Sequence, residues 1–249
     1  MKLFLLRLLP LLLFLISWQW IVSGDDRLQF LFASPFLVAG VFIQEIFTPA
    51  IWRDISVTGL ETILGLILGS TLGTITGLLL WGRGKWEAVS RPYVVGLSAI
   101  PIFALAPMLI IWFGTGLLSK VLMAAFGCFF ISLSQSFTGA KLADETYGSF
   151  ARSLGASPSL ILRYIILPGA LEWVLVGFKI NVGFALLGAF IGEFVSSQAG
   201  LGHYIIAAGG IYDMPRVLLG VLLLSIFALL LNALINRLVV TAAPWLKVA

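Results

Sequence analysis

The sequence predicts an all-α fold that crosses a membrane about six times, and three observations carry that prediction. Of its 249 residues, 60% are apolar and 10% are charged, against about 25% charged residues in soluble domains. The charges gather between apolar runs of the length a helix needs to cross a bilayer, about 20 residues. The basic residues also sort to one side of those runs, as membrane orientation requires. The net charge of +4 therefore points to orientation in a membrane and away from nucleic acid. One cysteine, Cys128, and one histidine, His203, exclude an internal disulfide framework and a metal site of the usual ligand spacing.

The first segment, Leu3 to Val22, has Lys2 and Arg7 near its start and a Leu-rich body. No small-x-small cleavage site follows and further spans do, so it reads as a retained first transmembrane helix. Ser23 to Ile55 is mixed, and its apolar piece Phe36 to Ile43 is too short to span. An interfacial helix on the outer surface, introduced by Ser34-Pro35, fits it. Residues 1–55 thus form one region, and 56–249 form a core with five further spans.

The second span, Ser56 to Trp81, carries Gly65, Gly69, Gly73 and Gly77 at four-residue spacing. Residues four apart share a helix face, so these glycines make a groove for a close-packed helix. Packing within one subunit accounts for it; a subunit interface or a translocation path also would. Glu61 is expected at headgroup level and not as a buried carboxylate. In the loop Gly82 to Arg91, GRGK resembles a phosphate loop only in outline. Trp86 stands at the Ser/Thr position, and the first Gly and preceding strand are missing. The third span, Pro92 to Phe113, contains Pro101 and Pro107. It is expected to be kinked and inside the bundle, where neighbours satisfy the freed carbonyls. A Gly114-Thr115-Gly116 turn leads to the fourth span, Leu117 to Phe137. The fifth, Leu171 to Val195, includes Lys179 and Glu193. A Gly-rich outer segment, Ser196 to Arg216, precedes the sixth span, Val217 to Val240.

Between the fourth and fifth spans lies a polar island, Lys141 to Pro168. Asp144 and Glu145 suit the first turn of a helix, and Gly155 suits a left-handed C′ position after Leu154. Ser157-Pro158 is a start signal of hydroxyl cap and N1 proline. Leu160, Ile161, Ile165 and Ile166 give an apolar side, and Pro168 is expected to stop or bend the helix. The pattern predicts a short helix, a Gly turn and another short helix. With a cytoplasmic N-terminus, Lys2, Arg7, Arg83, Lys85, Arg91, Lys141, Arg152, Arg163, Arg237 and Lys247 are inside. Only Arg27, Arg53, Lys120 and Arg216 then face out, so the island is cytoplasmic.

SFARSLGASPSLILRYIILP, within this island, resembles the cytoplasmic coupling loop of ATP-binding-cassette importer permeases. Ala151, Arg152, Leu154, Gly155, Ala156, Ser157, Leu167 and Pro168 match that motif. Ser149 and Phe150 stand where it has Glu and its first Ala, and Glu145, one turn earlier, is the candidate for the missing acidic contact. Pro101 to Lys120 and the segment Gly192-Glu193 to Gly200-Leu201-Gly202 resemble the nitrate, sulfonate, taurine and bicarbonate branch. Glu172 departs from the family, which often has Pro there.

The resemblance implies a type I importer permease fold with a cytoplasmic coupling helix in the loop 141–168. It implies a permease of the bacterial plasma membrane that pairs with a second copy of itself, with separate ATPase subunits and with an extracytoplasmic substrate-binding protein. ATP and magnesium would be held by the ATPase, with no cofactor or metal on this chain and no catalytic site. The expected cargo is a small anion such as nitrate, bicarbonate or a sulfonate; some relatives take heterocyclic vitamin precursors. Gly155 would allow the turn, Arg152 would pair with the ATPase surface, and Leu167-Pro168 would join the loop to the fifth span.

Three residues are candidates for the substrate pathway. Lys179 reads as snorkelling to the cytoplasmic interface, against a place in the path of an anion. Glu193 is an interfacial carboxylate or a gate element. Ser196 and Ser197 bind substrate or merely finish the helix, and His203 is an ordinary loop residue. A membrane-embedded enzyme would need a nucleophile–base pair, two intramembrane Asp or a metal cluster, which the spans do not offer. An ion-gradient-driven secondary transporter would normally show repeated halves or discontinuous mid-membrane helices, and no repeat is evident.

Overall fold

A computed structural model describes residues 2–82 and 84–242, the side chains of 2–8, 84, 87 and 242 excepted. Arg83 and Lys247, counted above toward orientation, lie outside the described residues, as do the side chains of Lys2 and Arg7. The described residues form ten helices. In order they are α1 (Lys2–Ser23), α2 (Asp26–Phe32), α3 (Pro35–Glu45), α4 (Pro49–Leu80), α5 (Gly84–Ser98) and α6 (Ile102–Phe113). Then come α7 (Leu117–Ser153), α8 (Pro158–Val195), α9 (Leu201–Gly210) and α10 (Met214–Ala242). By length and composition α4, α7, α8 and α10 are each able to cross a membrane. The bent pairs α2/α3 and α5/α6 each have the composition of one more span, broken by 47° and 90°.

The chain divides into two units, 1–57 with 198–226 and 58–197 with 227–249. The segment 198–226 belongs to the first unit.

The first unit is built on Ala33, Val38, Ile51, Leu201, Leu219 and Leu223. Asp25 caps α2 by accepting from the Arg27 N–H at 2.8 Å, and Ser34 caps α3 ahead of Pro35, as its sequence signal predicts. Arg216 joins Glu45 at 2.9 Å and Asp213 at 2.5 Å. Asp54, in the first turns of α4, accepts from the Gly200 N–H at 2.9 Å. His203 lies inside α9, so the expected loop residue is helical. Tyr204 packs in the same unit; burial first, then the nearby Glu45 and Asp213 carboxylates, push its phenol up to about 12.

In the second unit α7 is the central helix, and small residues let its neighbours reach its backbone. A Cβ at Gly69 of α4 would stand 2.8 Å from both the Ala125 Cα and the Cys128 Cβ. Gly65, Gly73 and Gly77 meet Ala124, Phe129, Leu133 and Ser136 of α7 in the same way. On the other side Gly188 of α8 lies against Ala124, where a Cβ would stand 2.6 Å from the Ala124 Cα. The three helices share a polar node. The Asn181 Nδ2 of α8 donates to the Ser70 Oγ of α4 at 2.9 Å and to the Ser132 Oγ of α7 at 2.7 Å. Interhelical bonds of this kind, with small residues at the contact, are how spans associate where lipid removes any hydrophobic drive.

Three expectations change here. The third span bends by 90° at Ala99–Pro101, while Pro107 sits within α6 without breaking it. That pair also leaves most of its side chains exposed, with Ala106 buried, so it is not inside the bundle of this chain. The polar island is not a pair of separate short helices. Its first half continues α7 through a π-turn at Asp144–Gly148, and its second half opens α8 through a π-turn at Leu162–Ile166. Pro168 does not stop α8, because it follows the π-turn, where a missing N–H is tolerated.

Candidate functional site

Between α7 and α8 only Leu154 to Ser157 leaves the helical path, and its geometry is a Schellman cap. The Ala156 N–H donates to the Ala151 carbonyl and the Gly155 N–H to the Arg152 carbonyl, each at 3.0 Å, the 6→1 and 5→2 pair that defines the motif. Gly155 sits at φ +82° with nothing within 4 Å of a Cβ built on it, so backbone conformation alone demands glycine. Ala151 and Ala156 both pack on the cluster of Ala140, Ala143, Ile161, Ile166 and Ala170. That contact across the cap explains why small apolar residues stand at both places. Ser157 precedes Pro158 in extended conformation but makes no capping bond; its hydroxyl meets the Ser159 Oγ at 3.2 Å.

The tight turn exposes apolar side chains. Tyr147, Phe150, Leu154 and Tyr164 are each more than half exposed. They line a cavity of about 690 Å³ that also takes in Pro168 and Glu172. Exposed apolar surface of this density at the end of two helices marks a surface that contacts protein or membrane. Leu167 is exposed at the base of the same hairpin.

The charged residues expected to serve this docking are arranged differently from the sequence reading. Arg152 is ion-paired to Asp144 at 2.8 Å within its own helix. Asp144 therefore does not serve a helix N-terminus, since α7 runs through it. Glu145 is exposed, but it lines a separate cavity with Arg91 and Lys141. Glu172, noted only as a departure from the motif, is the carboxylate that shares the concavity with Phe150 and Leu154.

A second cavity, of about 550 Å³, opens at the α5/α6 break. It is lined by residues 98–102, by Phe126, Phe130, Ser134 and Gln135 of α7 and by Phe184 of α8, with no charged side chain among them. Phe126 and Phe130 stand edge to face, their centroids 5.1 Å apart. Neither Lys179, Glu193 nor Ser196 lines it. Lys179 is half-buried on α8, and Ser196 is the half-buried C-cap of that helix. Glu61 and Glu193 are both buried, so Glu61 is a buried carboxylate, contrary to the sequence expectation. Lys120, counted above on the outer side of the membrane, is buried as well. The partners that enclose these three come from distant helices, which no local pattern shows.

The all-α fold, with four helices long and apolar enough to cross a membrane, is that of a type I importer permease. A solved inward-facing MetNI methionine ABC transporter matches it at a TM-score of 0.60 and 20% identity, over 82% of this chain and 95% of that one. An amino acid ABC transporter matches at 0.62 and 17%, over 82% and 98%. Residues 65–248 match the family described as binding-protein-dependent transport system inner membrane component, and the chain belongs to that family. A probable ABC transporter permease of Haemophilus influenzae is 34% identical over 93% of this chain and 94% of its own length. The riboflavin transport permease RibX of Chloroflexus aurantiacus is 34% identical over 92% and 87%, and the formylaminopyrimidine permease ThiX of Halalkalibacterium halodurans 30% over 74% and 74%. Sulfonate and taurine permeases of Bacillus subtilis and Escherichia coli follow at 26% and 27%, which places the chain in the branch its motifs suggested.

Proposed function

We propose that this importer permease passes a small, uncharged, planar nitrogen heterocycle, received from an extracytoplasmic binding protein, and that two copies of it dock two ATPase subunits. The observation that carries the docking is the exposed apolar concavity at the Gly155 turn. Tyr147, Phe150, Leu154 and Tyr164 offer a partner the anchors that helix-in-groove contacts use, and Glu172 supplies the acidic contact that the family motif puts at Ser149. ATP and magnesium then stay on the ATPase, and closure of the ATPase pair moves the helices joined to the turn as rigid bodies between inward- and outward-open states. The turn faces the cytoplasm, with Lys141, Arg152 and Arg163 on that side.

The substrate class rests on the uncharged, phenyl-lined cavity at the α5/α6 break. Aromatic faces stack on a flat heterocycle, and Ser98, Ser134 and Gln135 can hydrogen-bond its edge. The riboflavin and formylaminopyrimidine relatives support this reading. The taurine and sulfonate relatives favour a second one, a small anion, for which Lys179 is the available cation.

One reconstitution decides between them. In proteoliposomes holding permease, ATPase and binding protein, riboflavin or an aminopyrimidine should stimulate ATP hydrolysis and uptake, and taurine should not. Leu154→Asp should abolish the stimulation, Glu172→Gln should reduce it about tenfold, as expected for a lost charge-assisted contact, and Glu145→Gln should leave it near wild type. Stimulation by taurine alone would replace the heterocycle with the anion, and a fully active Leu154→Asp would remove the docking surface.

A further inference from the structure

At the end of the second unit away from the Gly155 turn, three ionisable side chains from three helices are buried together. Glu61 of α4 is 2% exposed, Glu193 of α8 0% and Lys120 of α7 3%. None of them lines the cavities described above. Thr58, one helical turn before Glu61, donates to the Glu193 Oε1 at 2.6 Å. The Lys120 Nζ donates to the carbonyls of Thr115 and Gly116 at the start of α7, which holds the ammonium in the field of both carboxyl groups. Glu61 lies one turn beyond Thr58 on the same face of α4, and that face is the one that meets Glu193. The Glu61 Oε2 is nonetheless buried with no hydrogen-bond partner among the described residues.

Two features of this arrangement are incomplete. Two carboxylates and one ammonium sum to −1, and a net charge at membrane depth is expensive. Two ionised carboxylates face to face also repel, so such pairs do not both ionise. In addition, a buried carboxyl oxygen lacks a donor, which is costly in itself. A single hydrogen between the carboxyls removes both deficits. It brings the cluster to neutrality, and it supplies an O–H···O⁻ bond, among the strongest a protein forms. The ammonium of Lys120 already fills the role of a fixed cation. The charged groups that face one another here are Glu61 from α4, Glu193 from α8 and Lys120 from α7.

We propose that Glu61 and Glu193 form a binding site for one proton, shared between their carboxyl groups and balanced by Lys120. The site ties α4, α7 and α8 together at the end of the unit opposite the docking turn. It does not depend on which substrate the permease carries.

Infrared difference spectroscopy on the full-length permease in lipid nanodiscs at neutral pH tests it. Wild type minus Glu61→Gln should show one carboxylic-acid carbonyl band that shifts in D₂O, and wild type minus Glu193→Gln should show the same band. Each single variant leaves one carboxylate against one ammonium and should keep its Tm near wild type. Lys120→Met removes the balancing charge, so the pair should take a second proton and the acid band should double. Glu61→Gln with Glu193→Gln strands Lys120 and should lower the Tm below that of either single variant. Absence of an acid band in both glutamine difference spectra would overturn the site, as would an unchanged band in Lys120→Met. A Tm raised by sodium chloride and not by potassium chloride at equal ionic strength would assign the pocket to a metal ion instead. Should one glutamine variant fail to fold, the other and Lys120→Met still read the band.

Discussion

Gly155 holds the docking turn by its backbone alone. At φ +82° with open space around it, a side chain would meet no clash, only the conformational penalty of the left-handed region. That penalty is about 1–2 kcal/mol for most residues, larger for a β-branched one and smallest for asparagine. Gly155→Asn should therefore keep substrate-stimulated ATP hydrolysis within about twofold of wild type, while Gly155→Val should lose most of it with the spans still folded. Coupled uptake per ATP in proteoliposomes, with Tm as the folding control, separates the two; equal behaviour of Asn and Val would show that the turn tolerates any conformation. The sequence already pointed to Gly155 because its residue type announces its backbone. It could not point to Glu61 as a buried group, because Glu193, which meets Thr58 of the same helix at 2.6 Å, lies 135 positions beyond Thr58 in the chain. Arg152 was assigned by motif position and Glu145 by lying one turn before Ser149, and the motif says nothing of Asp144, which pairs with Arg152.

At the scale of helices, the four-residue glycine spacing of α4 was legible because a one-face repeat is a local property. Its partner was not, and the structure places α7 on it. The contact is backbone to backbone, so Gly69→Ala cannot be absorbed by rotating a side chain. A Cβ 2.8 Å from the Ala125 Cα forces the helices apart. Overpacking of that kind costs about 1–3 kcal/mol and outweighs the gain of about 1 kcal/mol from replacing glycine by alanine in a helix. Gly96 of α5 meets nothing within 4 Å, so Gly96→Ala collects the gain alone. The Tm of the detergent-solubilised permease should fall in Gly69→Ala and hold or rise in Gly96→Ala. A fall in both would mean that helix composition, and not the seam with α7, sets the stability. The continuity of α7 through residues 144–148 escaped the sequence for a related reason. Polar residues mark the end of an apolar span, but they do not end a helix that leaves the membrane and continues in water.

That continuation bears on the orientation of the chain in the membrane. With 37 residues at 1.5 Å each, α7 is about 55 Å long, well beyond a hydrocarbon core of about 30 Å. Its two ends therefore emerge on opposite sides, and the excess length lies on the side of the Gly155 turn, where Lys141, Arg152 and Arg163 gather. The basic residues there predict a cytoplasmic turn, in the compartment that holds ATP. Single cysteines at Gly116, before α7, and at Leu154, after it, read this directly. Both positions are exposed, and the native Cys128 is fully buried and does not compete for reagent. A membrane-impermeant maleimide should label Gly116→Cys in intact cells and Leu154→Cys only in inverted vesicles. Labelling of both from one side would mean that α7 does not cross. Labelling of Leu154→Cys from outside would reverse the orientation and remove the docking of an ATPase at the turn, because its nucleotide would be on the wrong side of the membrane.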